Sequence, residues 1–165
     1  MKTLKKNWKN NEFSRCYLFF GAEAYLIRDY EAALMKALLP EGAEMMNHDI
    51  FEEKRATAAA IMDAAETLPF LSDKRLVTVK NSEFFQKGGR KEEGERLKEF
   101  LADIPETTCI LFIEEKVEKT NGLYKSVVKH GQAVEFKKPT EKDLAVWIKK
   151  ICREKGVEMT DGVLN

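Results

Sequence analysis

Two adjacent glutamates, Glu114 and Glu115, come nearest in this chain to a catalytic arrangement. They follow the apolar stretch 109–113, and paired carboxylates at the carboxyl end of a buried strand can hold Mg²⁺ beside a phosphate group. Lys137, after the apolar stretch 133–136, could contribute to the same site. Together these residues would suit a degenerate nucleotide-binding or phosphotransfer enzyme. Acidic residues at a strand exit are more often simply solvated, so the enzyme hypothesis needs a phosphate loop nearby.

The turn that begins at Gly21 is where such a phosphate loop would lie, directly after the first apolar stretch. A P-loop has the pattern GxxxxGK[ST], in which the lysine contacts phosphates and the hydroxyl contacts magnesium. Counted from Gly21, the last three required positions hold Leu26, Ile27 and Arg28. The dinucleotide pattern GxGxxG is also missing from the sequence. The turn after the first apolar stretch therefore lacks the second glycine, the lysine and the hydroxyl that would bind a nucleotide. This absence favours a domain that binds a partner and needs no cofactor.

The cysteines and histidines do not suggest a metal site or a disulfide framework. Cys16, Cys109 and Cys152 are far apart and have no CxxC spacing, so we expect small thiols in a reducing compartment. His48 and His130 are isolated from any cysteine or histidine partner. The sequence therefore predicts neither a bound metal nor a structural disulfide.

The charge balance limits the classes of partner. With 28 basic and 28 acidic residues the formal net charge is zero, which argues against binding nucleic acid through bulk charge. The sequence has no secretory signal and no apolar run of membrane-spanning length. We expect a soluble, cytoplasmic protein with no membrane partner.

Short apolar stretches alternate with helical patterns along most of the chain. This alternation predicts an α/β fold with a five-stranded parallel sheet and helices on both faces. Thr57 and Asn121 stand at the starts of two of the helices, and Thr140 with Asp143 matches a capping box. The predicted strands are residues 16–20, 45–51, 76–79, 109–113 and 133–136, and the predicted helices are 22–39, 57–66, 92–102, 121–130 and a last one after 140.

Three segments are expected. Residues 1–13 are rich in lysine and asparagine and predict a mobile leader, residues 14–138 form the α/β domain, and residues 139–165 begin a helical unit that is truncated at Asn165. The lysines of the leader also suggest a weaker hypothesis, direct DNA binding. They are Lys2, Lys5, Lys6 and Lys9.

Residues 67–71, called the apolar tip below, are the most informative segment of the chain. Pro69 ends the preceding helix, because it removes an amide donor and biases Leu68 away from helical geometry. Leu68, Phe70 and Leu71 are thereby left on a connecting segment, where polar residues are usual. These three side chains either fold back onto the core or await a partner.

Four stretches resemble the bacterial DNA polymerase III delta subunit family. They are residues 17–26 (YLFFGAEAYL), 67–77 (TLPFLSDKRLV), 123–125 (LYK) and 144–148 (LAVWI), of which the second is the most specific. The resemblance implies a clamp-loader subunit of the replicative polymerase with no catalytic activity of its own. It further implies an AAA+-like first domain with a degenerate nucleotide site, then a helical lid and a collar.

The same resemblance implies that the apolar tip inserts into a hydrophobic pocket of the sliding clamp and opens the clamp for loading onto primed DNA. Phe70 is the implied main anchor, and the second is Leu68 or Leu71. Lys74 and Arg75 could steer the tip toward an acidic clamp surface, although Arg75 could equally be a solvated strand-edge charge. The implied clamp-contacting residues are Thr67, Leu68, Pro69, Phe70 and Leu71. Further implied partners are the gamma/tau and delta-prime subunits, mostly through regions beyond Asn165, with DNA contacted indirectly.

Overall fold

A five-stranded parallel sheet forms the centre of the molecule, as the sequence predicts. The computed structural model describes residues 2–138 and 140–154. All four strand pairings are parallel, and the strand order across the sheet is β2-β3-β4-β1-β5. The strands are β1 Cys16–Phe20, β2 His48–Glu52, β3 Arg75–Lys80, β4 Thr108–Glu114 and β5 Gln132–Glu135.

The central strands are buried on both faces, which is why they read as continuous apolar runs. Every residue of β1 is buried, and Leu18 and Phe19 pair with Phe112 and Ile113 of β4. Successive side chains of a strand point to opposite faces of the sheet. The sheet therefore needs a helical layer on each side.

Helices supply those two layers. On one face, α4, α5 and α6 cover a core that includes Leu18, Val77 and Phe112. On the other face, α1 and α2 cover a core that includes Phe19 and Leu111. The helices are α1 Lys2–Lys9, α2 Ala24–Leu38, α3 Glu44–Asn47, α4 Ala58–Glu66, α5 Lys91–Phe100, α6 Gly122–His130 and α7 Glu141–Glu154, with 3-10 turns at Glu53–Arg55 and Leu101–Asp103.

Two predicted helix starts are confirmed by their caps. The Thr57 hydroxyl accepts a hydrogen bond from the Ala60 amide (3.1 Å). The side-chain oxygen of Asn121 accepts hydrogen bonds from the main-chain amides of Leu123 (2.8 Å) and Tyr124 (3.1 Å). Each cap satisfies amide groups that the first turn of a helix leaves without an intrahelical partner.

The amino-terminal segment differs from the expected mobile leader. Residues Lys2–Lys9 form α1, whose Leu4 and Trp8 are each only 4% exposed. The Trp8 indole donates to the Tyr17 hydroxyl (3.1 Å), and the Lys5 ammonium pairs with Asp29 (2.7 Å). The lysine content conceals the i, i+4 apolar pair that holds this helix against the core.

The second strand begins later than predicted. Residues Glu44–Asn47 form the short helix α3, and β2 starts at His48. Met45 and Met46 are exposed on α3, whereas Asn47 is fully buried. Residues 45–51 place three polar residues between two methionines and Ile50-Phe51, which is neither a helical nor a strand periodicity, so the local pattern does not locate this boundary.

The last described helix, α7, follows β5 and runs from Glu141 to Glu154. It occupies the place where the sequence predicts the start of a helical lid. The domain division at residue 139 stays a prediction. The Asp143 side chain of the predicted capping box and residues 155–165 of the predicted lid lie outside the described residues.

Candidate protein-binding site at the amino-terminal edge of the sheet

The apolar tip lies between the end of α4 and the start of β3. Because the strands are parallel, this junction is at the amino-terminal edge of the sheet. Helix α4 ends where the sequence predicts, and the Thr67 hydroxyl donates to the Asp63 carbonyl (2.9 Å). Pro69 follows two residues later and, without an amide N–H, cannot continue the helix.

The large side chains of the tip are exposed. Leu68 is 77% exposed, Leu71 is 80% exposed and Phe70 is 55% exposed. Packing onto the body of the domain therefore does not account for the two leucines, and it accounts for only about half of the phenylalanine surface. Adjacent exposed apolar side chains of this size are typical of a surface that binds another protein.

The backbone of the tip is nevertheless held firmly. The Asn47 side chain accepts a hydrogen bond from the Phe70 amide (2.6 Å) and donates one to the Phe70 carbonyl (2.7 Å). The Ser72 hydroxyl donates to the Lys74 carbonyl (2.8 Å) and closes the turn that leads into β3. The tip therefore combines exposed side chains with a fixed main chain.

Leu71 adopts a backbone conformation that leucine disfavours. Its φ is +55°, in the left-handed region where glycine and asparagine are usual. A bulky residue there raises the energy of the fold by roughly 1–2 kcal/mol. Its side chain is mostly in solvent, so burial does not offset that strain. An exposed, strained leucine is more easily explained by binding than by folding.

The steering role suggested for Arg75 is wrong, because its guanidinium is buried beneath the tip. It pairs with Asp49 on β2 and donates to the carbonyls of Ala64 (3.0 Å) and Met46 (3.1 Å). Arg75 is 8% exposed, so it is not a solvated charge either. Lys74 is half-buried and its ammonium donates to the Glu106 carbonyl. Steering by Lys74 stays a prediction.

The alternative catalytic site would lie at the opposite edge of the sheet, beyond the carboxyl ends of the strands. There the Glu23 amide donates to the Phe136 carbonyl (3.2 Å) instead of facing solvent. A Cβ on Gly21 would lie 2.3 Å from the same carbonyl oxygen. Gly21 thus permits close packing of its turn on the chain after β5, and this turn does not present its amides as a phosphate cradle.

Glu114 and Glu115 are not a solvated pair. Glu114 is buried and accepts hydrogen bonds from the amide (3.0 Å) and hydroxyl of Ser82, and burial raises the pKa of its carboxyl. Glu115 is exposed, as is Lys137. Both glutamates line a cleft of about 430 Å³ that Lys137 does not line.

That cleft also contains Lys80, but its ammonium is paired with Glu31 (3.0 Å). Within the described residues, His, Cys, Asp and Glu side chains do not gather in threes that could hold a metal ion. The cleft therefore holds the two glutamates with Lys80 and the exposed Arg28, but its described residues include neither a phosphate loop nor a cluster of metal ligands.

The cysteines are not disposed for chemistry. Burial raises the pKa of the Cys16 thiol to about 12 and also raises the pKa of Cys109. Thiols with raised pKa values are poor nucleophiles at neutral pH. Cys152 is half-buried on α7. None of the described helices is both long and apolar enough to cross a membrane.

Comparison with solved structures identifies the class of domain. The fold is similar to the DNA clamp loader delta protein of Bacillus subtilis, with a TM-score of 0.81 at 22% identity over 93% of this chain and 47% of that one. A DNA polymerase III gamma subunit-related protein of Thermotoga maritima matches with a TM-score of 0.56 at 19% identity, over 93% of this chain and 51% of that one. Thermotoga maritima RuvB matches with 0.50 at 14% identity, over 98% and 50%. The sheet, its helical layers and these likenesses define an AAA+-like α/β domain.

Sequence comparison narrows that class to one family. The profile of the DNA polymerase III delta subunit matches residues 17–137. The DNA polymerase III subunit delta of Bacillus subtilis is 29% identical over an alignment of 145 residues, and the match covers 84% of this chain and 42% of that protein. The chain belongs to the DNA polymerase III delta subunit family. It spans less than half the length of these Bacillus subtilis relatives.

Sequence reasoning missed the residues that hold the tip. Asn47 falls inside a stretch predicted as strand, and Arg75 looks like a surface charge beside Lys74. Asn47 is the first of three consecutive polar residues in that stretch, so no local signal distinguishes it from His48 and Asp49. Its partner Phe70 lies 23 residues further along the chain, so local spacing does not connect them.

Proposed function

We propose that this chain is the clamp-binding part of a clamp-loader delta subunit and that its apolar tip inserts into a hydrophobic pocket of the bacterial sliding clamp. The observation that carries the proposal is the exposure of Leu68, Phe70 and Leu71 on a fixed main chain at one edge of the sheet. Family membership supports the proposal, as does the description of the similar Bacillus subtilis structure as a DNA clamp loader protein.

The exposed surface of the tip is large enough to anchor a complex. Full burial of a leucine or phenylalanine contributes about 1.5–3 kcal/mol. Scaled by the exposed fractions of the three side chains, burial in a clamp pocket would contribute roughly 3–6 kcal/mol, or about a hundredfold to ten-thousandfold in affinity. The two leucines are exposed to nearly equal extents, so both are candidates for the second anchor beside Phe70.

Opening the clamp would require more than this anchor. Binding energy shifts a clamp toward its open state only if the open state is bound more tightly than the closed one. We therefore propose that the tip supplies attachment and that other contacts of the loader supply the preference for the open ring. The gamma/tau and delta-prime subunits are the proposed neighbours, and primed DNA is contacted indirectly. This function implies a cytoplasmic location.

We further propose that the chain has no catalytic activity. The Gly21 turn is packed on Phe136, Glu114 is buried and Lys80 is paired with Glu31. The exposed Arg28 and Glu115 have no phosphate loop beside them with which to act. Titration of Mg-ATP into the protein tests the alternative of a nucleotide-binding or phosphotransfer enzyme. Saturable binding that is lost in a Glu115→Gln, Lys80→Met double variant would support that alternative and contradict our proposal.

The clamp hypothesis is tested by surface plasmon resonance with an immobilised bacterial sliding clamp. The combined Leu68→Ala, Phe70→Ala, Leu71→Ala variant should bind at least a hundredfold more weakly than the wild type, with an unchanged circular dichroism spectrum. Tyr25→Ala is the matched control, because Tyr25 is 65% exposed but lies in the first turn of α2, at the opposite edge of the sheet. Equal weakening by the control, or a triple variant that binds normally, would contradict the proposed site.

A further inference from the structure

Asn47 is hydrogen-bonded to the main chain of the apolar tip at Phe70. Its side chain is fully buried and lies against the tip, although it comes 23 residues before Phe70 in the chain. We propose that Asn47 is a positioning residue for clamp binding: it holds the Phe70 main chain so that the anchors face outward before the clamp arrives. This inference rests on the proposed function.

The hydrogen bonds of Asn47 define its orientation and its target. Its carbonyl oxygen accepts from the Phe70 amide (2.6 Å), and its amide nitrogen donates to the carbonyls of Phe70 (2.7 Å) and Ala43 (2.9 Å). The reversed amide would set like groups against each other at all three contacts. One side chain thus engages both main-chain polar groups of Phe70, as a neighbouring strand would.

The hydrogen bond to the Ala43 carbonyl holds the Asn47 side chain at the start of α3. Phe70 is therefore tied to a helix through Asn47. Arg75 adds a second connection beneath the tip, because it donates to Met46 on α3 and to Ala64 in the last turns of α4. Phe70 and the start of β3 that follows the tip are therefore both fastened to α3. The side chains of the tip take no part in these bonds and stay available for a partner.

A fixed tip matters because ordering a loop during binding weakens the complex. Fixing the backbone of one residue costs about 5- to 30-fold in affinity when it must happen on binding. Asn47 removes this cost in advance for Phe70, which is the main anchor. Loss of its hydrogen bonds should therefore weaken clamp binding by about 5- to 30-fold while every apolar anchor is still present.

Hydrogen exchange on the free chain tests the positioning directly and without the clamp. The Phe70 amide should be protected in the wild type and should exchange at least tenfold faster in Asn47→Ala, while amides of β4 keep their protection. Asn47→Asp is a second variant, which retains an acceptor for the Phe70 amide but loses both donated bonds. Met45→Ala is the control, because it removes an exposed side chain from the same helix and leaves the Asn47 bonds intact.

A double-mutant cycle with Phe70→Ala tests whether the effect on binding passes through the anchor. Asn47→Ala should weaken binding to an immobilised sliding clamp in the wild-type background. Its effect should be clearly smaller once the Phe70 ring is absent, because the main anchor, whose own main chain Asn47 holds, is then gone. A general loss of stability would instead weaken binding equally in both backgrounds.

The possible failures are distinguishable. If the wild-type chain does not bind the clamp, the proposed function fails, while the exchange experiment still shows whether Asn47 orders the tip. If Asn47→Ala leaves the Phe70 amide protected, or weakens binding equally with and without the Phe70 ring, the positioning role is overturned. If neither Asn47 variant folds, Asn47 is a folding residue and the proposal is also overturned.

Discussion

Replacing Leu71 by glycine should separate folding from binding more sharply than any other single change in the apolar tip. Leu71 is 80% exposed, so removal of its side chain forfeits only about 0.3–0.6 kcal/mol of existing burial. Glycine relieves roughly 1–2 kcal/mol of strain at a φ of +55° and adds about 0.5–1 kcal/mol of unfolded-state entropy. The net change in unfolding free energy should therefore lie between about −0.6 and about +1.2 kcal/mol, so the variant should be about as stable as the wild type.

The same substitution should weaken clamp binding. Burial of the exposed four-fifths of Leu71 would contribute about 1.2–2.4 kcal/mol, so its loss should raise the Kd by about 7- to 60-fold. Thermal unfolding should show a Tm within about 5 °C of the wild type, and surface plasmon resonance should show the loss of affinity. The substitution thus lowers affinity while stability stays nearly unchanged.

Leu71→Ala is the matched control for the strain. It removes nearly the same side chain but keeps a Cβ in the left-handed region, so Leu71→Gly should be the more stable of the two by about 1 kcal/mol. A fall in Tm of more than about 5 °C for either variant would mean that Leu71 packs onto the domain. An unchanged affinity in both variants would refute Leu71 as an anchor.

Two further predictions concern the body of the domain. Trp8→Ala should destabilise the fold by about 3–5 kcal/mol in urea unfolding, because Trp8 is buried against the sheet. A change below about 1 kcal/mol would instead support a mobile amino-terminal segment. Burial raises the pKa of Glu114, so the folded state favours the protonated carboxyl, and its stability falls as pH rises from the ordinary glutamate value through that raised pKa. Glu114→Gln has no such titration, so its stability relative to the wild type should increase between pH 4.5 and pH 7.5. A stability difference that stays constant or decreases with pH would contradict this account.

Much of the fold could be predicted because its signals are local. The runs Cys16–Phe20 and 109–113 are continuously apolar, which is typical of strands covered on both faces, and the structure confirms both. Thr57 and Asn121 satisfy amides within three residues of themselves, so their capping roles can be read from spacing. The structure differs from the expected mobile leader because Leu4 and Trp8, spaced i, i+4 within a lysine-rich segment, pack α1 against the core.

The remaining misjudgements involve residues whose partners are distant in the chain. Arg75 looks exposed beside Lys74, yet Asp49 and two carbonyls surround its guanidinium. Glu114 looks solvated, yet Ser82, 32 residues earlier, accommodates its carboxyl. A buried polar group needs hydrogen-bond partners, and those partners are assembled by the sheet.

The sequence by itself determined the alternation of strands and helices, the missing phosphate loop and the end of α4 before Pro69, because each depends on residues close together in the chain. Only the tertiary structure decided that Leu68 and Leu71 face solvent, that Asn47 fastens the tip, and that the tip and the Gly21 turn lie at opposite edges of the sheet. Exposure and register are properties of the assembled layers, since whether a side chain is buried depends on what packs against it and not on its own type.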